Sequence, residues 1–411
     1  MRNSGQSMRR MMIAAVLGLM PGIVSQAAAK PLKVFILAGQ SNMQGHVNIS
    51  TFDSMAGDPK TAPILKEMRN ADGKPRVCQK VWISSIGCAV DDTTEQKGLL
   101  TAGFGASPEE IGPEFTFGIY MEKLGDPILL IKTSWGGKDL HTAFRPPGAG
   151  PYVWSDFELA RRKERGDNME KEKADKTKAT GVYYRLMLGH VRKVLADIKR
   201  VVPGYDPKQG YELAGFVWFQ GFNDLVSDWT YDKGDQPGGY DLYSELLCHF
   251  IRDVRKDLSA PKMPFVIGVM GIGGVKEDAK PGTMRHFRMA MAAPASLPEF
   301  KGNVTAVQTA PYWDDDLETL RTRLEALWPK VDAMAAEEVK KNPQMTRQEF
   351  EAFKLKAQAE HFTPEEWKHL RAGASNGGYH YLGAAKIMAP IGKAFAEAMA
   401  NLQKTQRQEK Q

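Results

Sequence analysis

The sequence predicts an α/β protein: a three-layer α/β/α sandwich around a central, mostly parallel sheet of about five strands, elaborated by helical insertions. Three observations carry that expectation. Short apolar runs alternate along the chain with segments of helical periodicity, the pattern of a parallel sheet covered on both faces. The runs have little polar interruption, as strands buried on two sides require. Several are followed at once by polar, glycine-containing turns, and in such sheets ligands collect beyond the carboxyl ends of the strands.

Residues 1–29 read as a secretory signal peptide. Arg2, Arg9 and Arg10 precede an apolar run from Met11 to Val24, and the small residues Ala27 to Ala29 suit cleavage. That run, broken by Pro21 and Gly22, is a poor membrane span, and no later segment is apolar for long enough to be one. A secreted or periplasmic protein without stable membrane insertion is expected. At 411 residues it can bury a large core. The net charge of +6 arises from 55 basic and 49 acidic residues, mostly interleaved, and no basic stripe with spaced aromatics argues for nucleic acid. Cys78 and Cys88 could pair in an oxidising compartment, but with Cys248 the count is odd, and a buried free thiol is the commoner fate. The eight histidines form no HExxH and no paired cluster, so neither metal nor cofactor is expected.

The first predicted strand is Val34 to Leu37, ended by Gly39, which delivers Ser41 into a polar turn. Val81 to Ile86, Ile128 to Lys132, Ala214 to Phe219, Phe265 to Met270 and Val304 to Thr309 follow as further strands. Between them Leu188, Val191, Leu195 and Ile198 recur at helical spacing, as do Tyr243, Leu247, Phe250, Val254 and Leu258. A last helix, from about Ala384 to Met399, places Ile387, Ile391, Phe395 and Ala398 on one face. Two segments break the rhythm. Residues 157–180 are crowded with charge and read as a solvated excursion. Residues 317–372 read as a helical insertion, with a capping box at Thr346 to Glu349 and a cap before Pro364 at Thr363. One domain spanning 30–400 is expected, followed by a polar, disordered tail over 401–411.

Four stations carry residues fit for chemistry, three of them at the ends of predicted strands. They are Gly39-Gln40-Ser41-Asn42, then Lys132 to Gly137 with the glycine pair Gly136-Gly137, then Trp218 to Asp224, then Gly377 to Tyr381 around His380. Paired glycines let backbone amides approach a ligand, and Gln220 and Asn223 can each donate to developing negative charge. His380, just before the closing helix, is the natural general base. Each station alone also has a plain reading: Ser41 as a helix cap, the glycines and Asn223 as turn residues, His380 as a packed side chain.

Together they resemble the SGNH hydrolases, the GDSL-like group with a flavodoxin-like sheet. The resemblance is stronger to the branch holding sialate O-acetylesterases and family six acetylxylan esterases. GQSNM around Ser41, KTSWGG around Gly136, WFQGFND around Asn223 and HYLGAAKI from His380 carry it, from about Lys33 to Met399. It implies Ser41 as nucleophile, His380 as base, and an oxyanion hole from the Ser41 amide, a glycine amide from Gly136 or its neighbour and a side-chain amide. Gln220 is slightly preferred over Asn223 for the last. An aspartate usually stands three residues before the histidine, where this chain has Gly377. A backbone carbonyl, a carboxylate from elsewhere such as Asp314 in Asp314-Asp315-Asp316, or the uncharged Asn376 could orient the ring instead.

Gln40, Trp135, Tyr312 and Trp313 lie beside these stations and are nominated to face substrate, flat aromatic rings suiting sugars. The resemblance and the export signal imply an O-acetylated saccharide as substrate and a carboxylic ester hydrolase as the enzyme. The rivals are an SGNH esterase or lipase acting on esters unrelated to sugars, and a carbohydrate-binding protein that has lost turnover with its acid.

Overall fold

The apolar runs become strands where the sequence places them. The computed structural model describes Met1 and residues 30–88, 91–279 and 281–408. Nine strands form in chain order: β1 (Leu32–Gly39), β2 (Val47–Asn48), β3 (Val81–Ile86), β4 (Gln96–Leu99), β5 (Glu110–Ile111), β6 (Ile128–Ser134), β7 (Tyr211–Phe219), β8 (Phe265–Val269) and β9 (Val304–Gln308). Seven build the central sheet in the order β4-β3-β6-β1-β7-β8-β9, and β2 pairs with β5 separately. All neighbours in the main sheet are parallel except β4, which runs antiparallel to β3. The sheet therefore has seven strands rather than about five. The six predicted runs are the six parallel strands, whereas β4 reads QKGL and lies half exposed at the edge, so no hydrophobic pattern marks it.

The sheet is the middle of three layers. Side chains of β1 alternate in direction: Phe35 and Leu37 join one core with the C-terminal helix Ala385–Gln408 and the helix Glu114–Glu122, while Val34 and Ile36 join the other with the helices Val182–Ala196 and Asp241–Asp257. The two insertions are helical. Residues 157–180 fold as Asp156–Glu164 and Met169–Ala179, and Arg161, Arg162 and Arg165 of this segment all stack near the ring of Trp229, which holds the excursion on the fold. Residues 317–372 build three helices joined by short turns, Asp315–Lys341, Arg347–Ala359 and Pro364–Gly373, the last two opened by reciprocal capping boxes at Thr346 and Thr363.

The chain does not loosen at 401. The C-terminal helix continues to Gln408, with Leu402 buried and the Gln403 side chain donating to the Ala214 carbonyl at 2.8 Å. That corrects the expected disordered tail over 401–408; residues 409–411 and the signal-peptide reading of 1–29, beyond Met1, lie outside the described residues. Cys78, Cys88 and Cys248 are free and buried, so the Cys78–Cys88 pairing does not form. Among the described residues no helix is long and apolar enough to cross a membrane.

Candidate active site

The sheet register brings three of the four stations to one rim. Gly39 of β1 pairs with Ser134 of β6 on one side and Phe219 of β7 on the other, so the three strands end level. β1 and β7 are also where the connection changes direction across the sheet, the place where open α/β sheets hold ligands. A Cβ on Gly39 would stand 2.1 Å from the Phe219 carbonyl oxygen, so this close approach needs glycine.

Ser41 opens the short helix Ser41–Gln44 and is 7% exposed. Its Oγ makes no hydrogen bond within the described residues, yet it is not among the buried unpartnered atoms, so it opens to solvent. Beneath it lies an ion pair. Lys132 Nζ and Glu114 Oε2 are 2.7 Å apart and both side chains are fully buried; Lys132 Nζ also donates to the carbonyls of Gln44 and Phe104 at 2.7 and 2.6 Å. These bonds fix the end of the serine helix to the sheet.

Gln40 ties the first station to the third. Its Oε1 accepts from the backbone N–H of Gly221 at 3.0 Å and of Asn223 at 3.3 Å. Backbone donors fix which end of this amide is oxygen, so Gln40 Nε2 must donate, and its acceptor is Asn223 Oδ1 at 2.8 Å. Gln40 is thus a strut between loops. Asn223 Nδ2 is left as a donor with no partner among the described residues.

Gln220 is committed elsewhere. Its Nε2 lies 2.6 Å from Asp224 Oδ2, 3.2 Å from the Lys138 carbonyl and 3.2 Å from Gln40 Oε1, so its two amide hydrogens are spent. Asp224, fully buried, also accepts from the N–H groups of Leu140 and His141 and from the Tyr231 hydroxyl. Burial raises its carboxyl above the usual range. Gln220 thus knits the loops after β6 and β7 together, and of the two amides considered for an oxyanion hole it is that of Asn223 whose nitrogen is unpartnered among the described residues.

The Gly136 N–H likewise finds no acceptor among the described residues, and the residue is exposed; a Cβ there would be 4.0 Å from the Cβ of Ser41. With the Ser41 N–H, which begins a helix and has no acceptor among the described residues, three unpartnered donors lie on the loops at this rim.

His380 reaches this rim through a strained turn. Tyr381 and Leu382 both adopt left-handed backbone angles, with φ of 53° and 60°. What holds them is the buried Tyr381 hydroxyl, which accepts from the Gly271 N–H at 2.8 Å and lies 2.7 Å from Thr309 Oγ1, tying the turn to the ends of β8 and β9. The turn packs on the serine helix. His380 Nδ1 lies 3.1 Å from Asn376 Oδ1, which also accepts the Gly377 N–H at 2.8 Å. Since that oxygen can only accept, Nδ1 carries the proton and Nε2 is the free, basic nitrogen. The ring is stacked on His46, centroids 3.9 Å apart and planes within 3°. Burial, then the neighbouring His46, lowers the His380 pKa to about 4; burial, then Lys132, lowers that of His46 to about 4. Both rings are neutral at pH 7. No hydrogen bond joins Ser41 Oγ to His380 in this state, and such bonds commonly tighten only on substrate binding.

Four nominated residues are placed elsewhere. Asp314 caps the helix Asp315–Lys341 by accepting from the Leu317 N–H at 3.0 Å, and its other oxygen pairs with Lys386 at 3.1 Å, so its carboxylate is not the partner of His380. Trp135 is 1% exposed, packed on Phe144 and Tyr183, and offers no face to a sugar. Trp313 is buried against Tyr381, and with Tyr312 and Asp314 it lines a separate cavity of about 580 Å³ against the C-terminal helix. His46 and the Lys132–Glu114 pair escaped sequence reasoning, with a histidine five residues after Ser41 the only signal for the first, whereas of the groups considered for orienting His380 it is Asn376 that lies against the ring. Composition alone would also mislead: Ser84 Oγ lies 2.9 Å from His190 Nε2 and 2.6 Å from Glu95 Oε1, but Ser84 is sealed in the sheet.

Residues 31–317 match the family model described as carbohydrate esterase, sialic acid-specific acetylesterase. The match stops where the helical insertion begins, short of His380. No curated protein matches the chain. Among solved structures, a protein from Arabidopsis thaliana is 16% identical with a TM-score of 0.35, over 68% of this chain and 86% of its own. The carbohydrate acetylesterase XAC1771 from Xanthomonas citri is 15% identical with a TM-score of 0.38, over 69% of this chain and 51% of its own. NanS is 12% identical with a TM-score of 0.38, over 69% and 78%.

Proposed function

This chain belongs to the sialic acid-specific acetylesterase family of carbohydrate esterases, and from that premise we propose that it removes O-acetyl groups from a saccharide by acyl transfer through Ser41. The observation that carries the reading is the set of three donors unpartnered among the described residues, Ser41 N–H, Gly136 N–H and Asn223 Nδ2, on the loops at the strand ends where the Ser41 hydroxyl opens to solvent without an internal hydrogen bond.

Ser41 Oγ attacks the acetyl carbonyl carbon as its proton passes to His380 Nε2. The carbonyl oxygen takes the electron pair and is held by the three donors. The tetrahedral intermediate collapses by breaking the bond to the sugar oxygen, which takes the proton back from His380. Water, deprotonated by the same nitrogen, then attacks the acetyl-serine carbonyl; acetate leaves and Ser41 regains its proton. Asn376 keeps Nδ1 protonated throughout, the part an asparagine plays in cysteine–histidine–asparagine sites. An amide supplies the tautomer but no negative charge, so the cationic ring is stabilised less than in a site with a carboxylate.

A chromogenic acetate ester assayed with the unmodified protein and with Ser41→Ala tests this. Loss of turnover by about 10³-fold or more supports the serine route. Absence of any Ser41-dependent hydrolysis overturns it and favours a binding protein. Acetate release from acetylated xylan and from O-acetylated sialic acid then addresses the sugar, and hydrolysis of simple esters alone favours an esterase unrelated to sugars. Export through residues 1–29 belongs to the same proposal: protein recovered from medium or periplasm should begin at or near Lys30.

A further inference from the structure

Resting on the reading that the substrate is an acetylated saccharide, we propose that Tyr379 is the specificity-determining residue of this site, its exposed ring being the face on which the acyl-bearing sugar stacks. Tyr379 is 51% exposed, the most exposed aromatic side chain among the described residues, and it stands next to the base. The ring is nonetheless pinned. It meets His380 edge-on at 4.5 Å, lies 6.1 Å from Phe222, and crosses Gly377 so closely that a Cβ there would be 2.7 Å from Tyr379 Cε1. Of the three aromatics nominated from the sequence to face a sugar, Trp135 and Trp313 are buried and Tyr312 lines the separate cavity against the C-terminal helix.

An apolar ring held rigidly in water loses little freedom when a pyranose settles on it, and the flat C–H face of a sugar matches an aromatic face. The Tyr379 hydroxyl makes no hydrogen bond to the described protein, so it is free for a sugar hydroxyl. Phe222 precedes Asn223 in the chain, so the pair spans the base loop and the donor loop and would present the acetyl group between them. The same packing explains the departure at Gly377: the Tyr379 ring occupies the space where a side chain at 377 would begin, and the ring-orienting role passes to Asn376.

The test is a selectivity ratio, kcat/KM for whichever of acetylated xylo-oligosaccharide or O-acetylated sialic acid the unmodified protein cleaves, divided by kcat/KM for 4-nitrophenyl acetate. Tyr379→Ala should lower that ratio about tenfold, mainly through KM for the saccharide, while Tyr379→Phe should keep it within about threefold. Binding of the acetylated saccharide to Ser41→Ala protein should weaken by the same factor when Tyr379→Ala is added. A ratio within about twofold of the unmodified value, or a Phe variant as poor as the Ala variant, overturns the stacking role. Failure of the parent reading is separate: the unmodified protein would then release acetate from neither saccharide, before any variant is made.

Discussion

Asn376 Oδ1 lies 3.1 Å from His380 Nδ1, in the place where a carboxylate steadies the base of most serine esterases. A neutral acceptor fixes the ring and its tautomer without favouring the protonated form. Asn376→Ala should lower kcat by on the order of 10- to 100-fold, within the range that general base catalysis contributes. Asn376→Asp keeps an acceptor and adds charge, so the acid limb of kcat/KM should move to higher pH. A pH profile of the three proteins checks both; an unchanged limb in Asn376→Asp removes Asn376 from this role.

Burial of the His380 ring, and after it the stacked His46, sets where that limb lies. With the His380 pKa lowered to about 4, its neutral form persists below the ordinary value of 6.5, so kcat/KM should stay level as pH falls through 6 and drop only towards 4. The groups facing the ring are His46, Asn376 and Tyr379, with Lys132 acting on His46. His46→Ala admits water and removes a like charge, and the limb should shift upward, towards 6.5. A profile that coincides with the unmodified one would show that the stacking does not tune the base.

Asn223 and Gln220 are separable by what each loses. Asn223→Asp keeps the oxygen that accepts from Gln40 Nε2 but removes the free donor, so it should cut kcat by on the order of 10²- to 10³-fold with the melting temperature nearly kept, as for removal of one oxyanion donor. Gln220→Ala instead leaves the buried Asp224 short of a bond and should cost about 1–3 kcal/mol of stability. Steady-state kinetics beside thermal melts decide; the opposite pattern would return the oxyanion role to Gln220.

Lys132→Met strands the Glu114 carboxylate in a fully buried site and should destabilise the protein by about 3–5 kcal/mol. Combining it with Glu114→Leu should recover most of that loss in chemical denaturation. If the double variant is no better than the single one, the bonds from Lys132 to the Gln44 and Phe104 carbonyls, rather than the charge, hold the serine helix.

The parallel strands were legible because each is a continuous apolar run, and the capping boxes because their signal spans four residues. β4 was not, since an edge strand of mixed exposure needs no pattern. Among site residues, Ser41, Gly136 and Asn223 could be nominated as turn residues directly after buried strands. Gln220 and Asn223 sit three apart in one turn with similar amides, so only their partners tell them apart. Asp314 and Trp135 had the right chemistry at the right distance along the chain, but a helix start and the core had already claimed them.

By itself the sequence determined the layered α/β fold and the loops in which its chemistry is carried, because burial period and turn composition are local properties. It also showed that the expected aspartate is missing at Gly377. Only the tertiary structure decided which side chain orients His380, which amide hydrogens remain free, and which aromatic ring faces solvent. Those depend on hydrogen-bond partners and packing brought together from residues up to more than 300 apart in the chain, where each polar atom taken by one neighbour is withdrawn from every other use.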